Sequence, residues 1–191
     1  RGEWDFLWGG KKKQQRCVDY TEYNEGIYVG YRYFQTAGAP VSYPFGYGKS
    51  YTTFEYSKPT VKATDKGFTA TITVKNTGAV AGKESVQLYV AAPAGGLEKP
   101  AFELKGFAKT KELAPGESQT LTIEVCKYTL ASFNEANSAW ETAAGTYKVM
   151  FGANAADIRG TAVYKLKKAE SWKVNNVLAP AQLINELTLQ K

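Results

Sequence analysis

The sequence predicts an all-β fold, an antiparallel β-sandwich, for most of the chain. In several segments after residue 53, apolar and polar side chains alternate with a period of two, which is typical of half-buried strands. Turns rich in glycine, proline and asparagine separate these segments at regular spacing, and no long helical pattern lies between them. The two observations together predict about seven short strands that share one core.

The predicted strands occupy residues 54–168. Their apolar sets, in chain order, are Phe68/Ala70/Ile72/Val74, Val86/Leu88/Val90, Leu121/Ile123/Val125, Tyr147/Val149/Phe151 and Ala162/Tyr164/Leu166. Turns are predicted at 76–82 and 114–117, a helical turn at 127–132 and a small excursion at 133–140. This spacing is typical of immunoglobulin and fibronectin type III domains, and a closed barrel is the alternative.

Residues 1–53 predict an irregular N-terminal arm that is unusually rich in aromatic residues. Residues 24–34 are interpreted as a strand or an extended segment, because bulky side chains fall on both of its faces. Prolines and glycines between residues 40 and 48 predict turns. Glu25 and Arg32 are expected to form an ion pair within this cluster, because a buried arginine needs a partner.

Residues 169–191 form an apolar tail, with a tryptophan, valines, leucines and an isoleucine around Pro180. Two interpretations stay open for it. The tail either packs back on the sandwich or connects to a following domain.

Composition excludes several classes of function. The chain of 191 residues has no histidine, which removes histidine-based triads and histidine-containing zinc sites. The net charge of +6 is dispersed apart from the lysines at 11–13, so nucleic acid is not an expected partner. No apolar run reaches the ~18 residues of a membrane span, so no membrane partner is expected. Neither a metal nor a cofactor is predicted. Cys17 and Cys126 are expected as separate thiols, with a bridge between them left open.

Several linked motifs resemble a known family. The segments are Glu25-Gly-Ile-Tyr-Val-Gly-Tyr-Arg-Tyr-Phe34, Tyr43-Pro-Phe-Gly-Tyr-Gly-Lys-Ser-Tyr-Thr-Thr-Phe54, Val74-Lys-Asn-Thr-Gly78, Ala81-Gly-Lys-Glu84, Val86-Gln-Leu-Tyr-Val90, Glu103-Leu-Lys-Gly-Phe107, Leu113-Ala-Pro-Gly-Glu117 and Gly145. In this order they resemble glycoside hydrolase family 3, from the end of its α/β domain through its fibronectin type III-like domain. The resemblance covers roughly residues 20–168.

The resemblance implies that this chain is part of a larger enzyme whose catalytic residues lie in other domains. In the family, a (β/α)8 barrel supplies the nucleophilic aspartate and an α/β domain supplies the acid/base residue. Residues 1–53 would then be the end of the α/β domain, 54–168 the fibronectin type III-like sandwich, and 169–191 a tail or connector. A connector would favour a subgroup in which the barrel comes last. The parent would be a β-glucosidase or β-xylosidase that hydrolyses terminal β-linked sugars with retention.

Within this chain no catalytic residue is expected. Retaining glycosidases use two carboxylates about 5–5.5 Å apart, and no family motif places such a pair among Asp5, Asp19, Glu22 and Glu25. The resemblance instead implies that the chain packs against the catalytic domains, which bind the carbohydrate. The candidate interdomain residues are Glu25, Tyr31, Arg32, Tyr33, Phe34, Phe45, Tyr47 and Tyr51.

Two alternatives remain for the chain's own role. It could be a carbohydrate-binding module, with Trp140, Tyr89 and Tyr128 as a stacking platform, or a purely structural spacer. The isolated chain is not expected to be active. The compartment stays open among cytoplasm, periplasm and secretion, for a soluble enzyme of bacterial type.

Overall fold

Strands dominate the chain in the computed structural model, which describes residues 23–189. The strands are β1 (Phe54–Tyr56), β2 (Thr60–Thr64), β3 (Gly67–Asn76), β4 (Ser85–Ala91), β5 (Glu103–Lys109), β6 (Ser118–Cys126), β7 (Ser132–Asn134), β8 (Ala139–Glu141), β9 (Gly145–Asn154), β10 (Asp157–Leu166) and β11 (Ser171–Lys173). Within residues 23–53 the structure has the α-helix α1 (Tyr31–Ala37), and a 3₁₀-helix (Tyr128–Leu130) follows β6.

The first sheet of the sandwich is built around β3. Strand β6 pairs with one edge of β3 along its whole length, and β1 and β2 share the other edge. Pro59 lies in the gap between β1 and β2. Proline has no N–H to donate to a ladder, which explains why the edge strand is interrupted there.

The second sheet has the order β10-β9-β4-β5, and all its pairs are antiparallel. Its inner face and that of the first sheet form one core. Every predicted apolar set contributes to this core, and Ala162 is the only residue of those sets that lies outside it. The two sheets also meet along both of their edges, because β2 lies beside β10 at one edge and β5 lies beside β6 at the other. The predicted antiparallel sandwich is therefore confirmed.

Strand β4 is buried on both faces, unlike a strand with one solvated side. Val86, Leu88 and Val90 face the core of the sandwich, so the alternation points Gln87 and Tyr89 to the outer face. Tyr89 is nevertheless fully buried, in a second cluster with Met150 and Ala155. The arm before β1 covers this outer face.

A third, small sheet has the order β11-β8-β7. Strands β7 and β8 form the predicted excursion as a hairpin, and the predicted helical turn is the 3₁₀-helix. Strand β11 brings the start of the tail back to the sandwich by pairing Trp172 with Trp140. Farther along the tail, Val177, Leu178 and Leu183 are exposed. The beginning of the tail thus packs back, and a connector role for its remainder stays a prediction.

One local prediction is contradicted by the structure, and two short strands were missed. The strand expected over residues 24–34 is wrong, since α1 begins at Tyr31. The short strands β2 and β11 were not predicted, because their apolar positions are too few to show a period. Cys17 lies outside the described residues, and Cys126 is exposed and forms no disulfide with any residue of 23–189. Among residues 23–189, no helix has the length and apolar character that crossing a membrane requires.

Candidate interdomain site

Glycines at both ends define α1, although its sequence also fits an extended segment. Gly30 precedes the helix with a φ of 61°, and Gly38 ends it in the left-handed conformation with a φ of 63°. These angles are costly for residues with a Cβ, so the glycines set the bounds of the helix. The Thr36 hydroxyl donates to the Arg32 carbonyl one turn back and accepts from the Ala101 N–H.

Tyr31 is the inward-facing anchor of this helix. Its ring stacks on Phe45, with ring centroids 4.4 Å apart, and meets the edge of Tyr89 at 6.1 Å. Its hydroxyl oxygen accepts a hydrogen bond of 2.7 Å from the Leu104 N–H. Burial raises the pKa of the Tyr89 hydroxyl, with a further contribution from Tyr31, so Tyr89 stays a neutral donor. Helix α1 is thereby fixed to the outer face of the second sheet.

Gln87 is the second anchor of the arm. Its side-chain amide nitrogen donates to the Gly46 carbonyl at 3.1 Å and to the Ala153 carbonyl at 2.9 Å. Its amide oxygen accepts from the Tyr89 hydroxyl at 2.5 Å. The Phe45 carbonyl accepts from the Ala155 N–H at 2.9 Å, which closes the same link between arm and sheet. Because each partner is satisfied, the turn at Phe45–Gly46 is held in one position.

The arm also carries aromatic side chains that the described residues leave partly or wholly exposed. Their exposed fractions are 40% for Phe34, 72% for Tyr43, 45% for Phe45, 44% for Tyr47 and 102% for Tyr51. We call these five residues the aromatic face. The rings of Tyr43 and Tyr47 lie 5.2 Å apart, so at least part of the face is contiguous. Contiguous exposed apolar surface marks an interaction site more often than solvated surface does.

The expected ion pair between Glu25 and Arg32 is wrong. Arg32 Nε lies 3.2 Å from Glu103 Oε1 instead, at an angle that does not make a hydrogen bond. Lys105 Nζ approaches the other oxygen of Glu103 at 3.0 Å. Glu25 is exposed and lines the same open groove as these three residues.

The remaining candidates separate into two places. Tyr33 is half-buried on α1 beside Phe34, with ring centroids 5.4 Å apart. Tyr89 is fully buried under the arm and cannot join Tyr128 and Trp140 in a platform, so that grouping is wrong. Asp5, Asp19 and Glu22 lie outside the described residues.

The sequence interpretation missed Gln87 and Glu103 as the partners of the arm. Gln87 carried a usable signal, because a glutamine among the apolar residues of β4 must find hydrogen-bond partners if it is buried. Glu103 carried no such signal, because its contact with Arg32 depends on how α1 docks.

Comparison with known proteins agrees with this architecture. Residues 84–155 match the family model described as fibronectin type III-like domain. The chain is 38% identical over 156 residues to the probable beta-glucosidase H of Neosartorya fischeri, covering 79% of this chain and 19% of that protein. It is 42% identical over 189 residues to beta-glucosidase A of Butyrivibrio fibrisolvens, covering 86% of this chain and 23% of that protein.

A solved structure shows the same likeness in three dimensions. Beta-glucosidase 3B from Thermotoga neapolitana in complex with glucose superimposes with a TM-score of 0.77 and 43% sequence identity. The match covers 80% of this chain and 21% of that one. The chain thus spans about a fifth of the length of the relatives it matches. Residues 84–155 thus match the fibronectin type III-like domain family, and the chain is similar to the C-terminal segment of glycoside hydrolase family 3 β-glucosidases.

Proposed function

We propose that this chain is an accessory part of a larger family 3 glycoside hydrolase and that its arm packs against the catalytic domains. The full enzyme would hydrolyse terminal β-linked sugars with retention of configuration, as a β-glucosidase or β-xylosidase. Support comes from the relatives, which carry β-glucosidase names and extend well beyond the matched segment. In this proposal residues 1–53 complete the preceding α/β domain, 54–168 are the accessory sandwich, and 169–191 are a tail or connector.

The two-sided arm is the observation that carries the proposal. Tyr31 and the turn at Gly46 fix one side of the arm to the sandwich through stacking and hydrogen bonds. The aromatic face stays partly or wholly open to solvent in the described residues. A segment ordered on one side and apolar on the other is suited to join two bodies, because it holds the second at a set orientation to the first.

The catalytic carboxylates would belong to the other domains. This chain would contribute by excluding water from the domain seam and by limiting the relative motion of the catalytic domains. Both effects require burial of the aromatic face, because its rings supply apolar contact area and need no charged partners.

Binding between separately produced parts of the enzyme tests this role. The 191-residue chain is titrated by calorimetry into the catalytic domains of a full-length enzyme that contains it. Changing both Tyr43 and Tyr51 to serine is expected to weaken binding about tenfold or more, because exposed aromatic anchors dominate interface energies. Phe107→Ser is the matched control, since Phe107 on β5 is also exposed, at 73%, but lies outside the aromatic face.

The proposal makes two further commitments. The isolated chain should not turn over aryl β-glucosides or aryl β-xylosides, and clear turnover by the purified chain would overturn the accessory assignment. Equal binding of the catalytic domains by the unchanged chain and by the double-serine variant would show that the aromatic face is not the seam.

A further inference from the structure

The third, small sheet carries an aromatic cluster that takes no part in the docking of the arm. Phe133, Trp140 and Trp172 lie directly opposite one another on β7, β8 and β11, so their side chains share one face of that sheet. Tyr128 on the 3₁₀-helix joins them, with its ring centroid 5.9 Å from that of Trp140 and 5.4 Å from that of Trp172.

This cluster borders an open groove with a volume of about 1060 Å³. Tyr128, Phe133 and Trp140 form one wall, which we call the aromatic trough. The volume lies at the upper end of the roughly 300–1,000 Å³ typical of small-molecule sites. Tyr128 is 48% exposed, so the trough is accessible to a ligand.

Fixed polar groups lie in the same groove as the trough. Glu103 is held between Arg32 at 3.2 Å and Lys105 at 3.0 Å, and the Lys105 side chain is only 13% exposed. Their positions are therefore set before any ligand arrives. Carboxylate oxygens accept hydrogen bonds, and ammonium and guanidinium groups donate them, so this triad offers both functions side by side.

The charge of the groove narrows the class of ligand. Five carboxylates line it, from Glu25, Glu98, Glu103, Glu135 and Glu186, against the two cations Arg32 and Lys105. This excess of negative charge disfavours nucleic acids and acidic polysaccharides. A protein surface pressed into the groove would have to desolvate several carboxylates, and that costs free energy unless each finds a partner. A neutral ligand rich in hydroxyl groups meets neither obstacle.

We propose that the aromatic trough binds a short, neutral oligosaccharide, with a pyranose ring packed on Trp140 and its hydroxyl groups bonded to the Glu103 triad. The C–H groups on one face of such a ring pack on an aromatic side chain, and its hydroxyls match mixed donors and acceptors. The groove shares no residue with the aromatic face. The choice of β-linked glucose units as the probe rests on the proposed function, whereas the sugar class does not.

The ring geometry favours a soluble chain over a flat crystalline surface. Phe133 and Trp140 are inclined by 55° to each other, and Tyr128 and Trp140 by 53°. Rings at these angles form the walls of a trough, whereas a flat polysaccharide surface needs coplanar rings. One or two sugar units are therefore expected to make the stacking contacts.

Binding of cellotetraose by the 191-residue chain tests the proposal. The expected result is saturable binding with a dissociation constant on the order of 1 mM or tighter, measured by calorimetry and by a change in tryptophan emission. Trp140→Ala and Tyr128→Ala are each expected to weaken binding about tenfold or more. Tyr51→Ala is the matched control, because Tyr51 is an exposed aromatic residue outside the groove. Xylotetraose and an acidic galacturonate tetramer serve as probes for neutral and anionic sugars.

Trp140→Ala could loosen the small sheet, so the exposed Tyr128 provides the second variant, and thermal unfolding checks both. Absence of binding at about 10 mM of either neutral sugar would overturn the proposal. Binding that survives both variants, or tighter binding of the acidic tetramer, would also overturn it. Self-association that depends on Trp140, without sugar binding, would identify the trough as an interface between two copies. None of these results affects the test with Tyr43 and Tyr51, so the two proposals can fail separately.

Discussion

The Tyr56 hydroxyl donates a hydrogen bond of 2.8 Å to Glu84 Oε1, and so connects β1 to the residue that precedes β4. Arg159 lies over the ring of Tyr56, with its guanidinium carbon 4.9 Å from the ring centroid. The same guanidinium approaches Glu84 at 3.5 Å. This cluster joins the two sheets of the sandwich at one edge, in a position where the carboxylate is mostly buried.

Glu84 predicts a pH dependence of stability. Burial raises the pKa of its carboxyl group above the usual 4.5, although Tyr56 and Arg159 lower it and Asp157 raises it further. A carboxyl group with a raised pKa in the folded state binds its proton more tightly there than in the unfolded state. Its contribution to the free energy of unfolding therefore decreases as pH rises from about 4.5 through the raised pKa.

Glu84→Gln removes this titration. The difference in free energy of unfolding between the glutamine variant and the unchanged chain is expected to grow in favour of the variant as pH rises over the acidic range. Urea unfolding at a series of pH values measures it. In the Tyr56→Phe variant, the free energy of unfolding should depend on pH more steeply than in the unchanged chain. The reason is that this variant lacks the hydrogen bond that lowers the pKa of Glu84. Parallel pH curves for all three proteins would contradict the assignment.

Asn76 is fully buried and makes hydrogen bonds with both atoms of its amide. Its oxygen accepts from the Thr52 hydroxyl and the Gly78 N–H, and its nitrogen donates to the carbonyls of Val80 and Leu113 at 2.8 Å each. Asn76→Asp would remove the donor to both carbonyls, although Leu113 would keep the hydrogen bond from the Gly82 N–H, and it would bury a charge. We expect a loss of about 2–4 kcal/mol, seen as a lower urea midpoint.

Asn175→Asp is the control for this substitution, since Asn175 is exposed in the tail. A loss of similar size in both variants would mean that added charge, rather than the buried network, causes the effect.

Gly46 and Gly48 offer a matched pair in the arm. Gly46 has a φ of 79°, and a Cβ there would collide with the Gln87 amide, whereas a Cβ at Gly48 would meet nothing within 4 Å. Gly46→Ala is expected to weaken the docking of the arm by about 1–3 kcal/mol. Gly48→Ala should leave it unchanged.

Amide hydrogen exchange measures this loosening, with the first variant losing protection over residues 23–53 while the sandwich strands keep theirs. Equal protection in the two variants would show that the Gly46–Gln87 contact does not hold the arm.

The side chain of Tyr147, which lies on β9, is hydrogen-bonded to the turn that precedes this strand. Its hydroxyl donates a hydrogen bond of 2.8 Å to the Ala143 carbonyl, and its ring is 1% exposed. This arrangement is similar to the tyrosine corner of immunoglobulin-like sandwiches. Tyr147→Phe is expected to cost about 1–2 kcal/mol in thermal or urea unfolding. Tyr51→Phe, on a fully exposed ring, should cost nothing measurable, and an unchanged midpoint for Tyr147→Phe would refute the role of the hydroxyl.

Much of the sandwich could be predicted from local pattern. The inward sets of β3, β4, β6 and β9 all lie in the core, because a period of two places alternate side chains on one face regardless of distant contacts. The turn at 114–117 followed from its proline and glycine in the same way. Short strands such as β2 and β11 lack enough positions for a period and were missed.

Local sequence alone was enough for the long strands, the sandwich and the likeness to the glycosidase family, since each depends on residues close together in the chain. What covers each surface depends instead on contacts between segments that are distant in the chain. Periodicity shows that Tyr89 lies on the outer face of β4, but the docked arm is what buries it. Charge predicts that Arg32 needs a partner, but the position of α1 selects Glu103 over Glu25. Such choices follow from packing between distant segments, whose contact free energies do not appear in any local pattern.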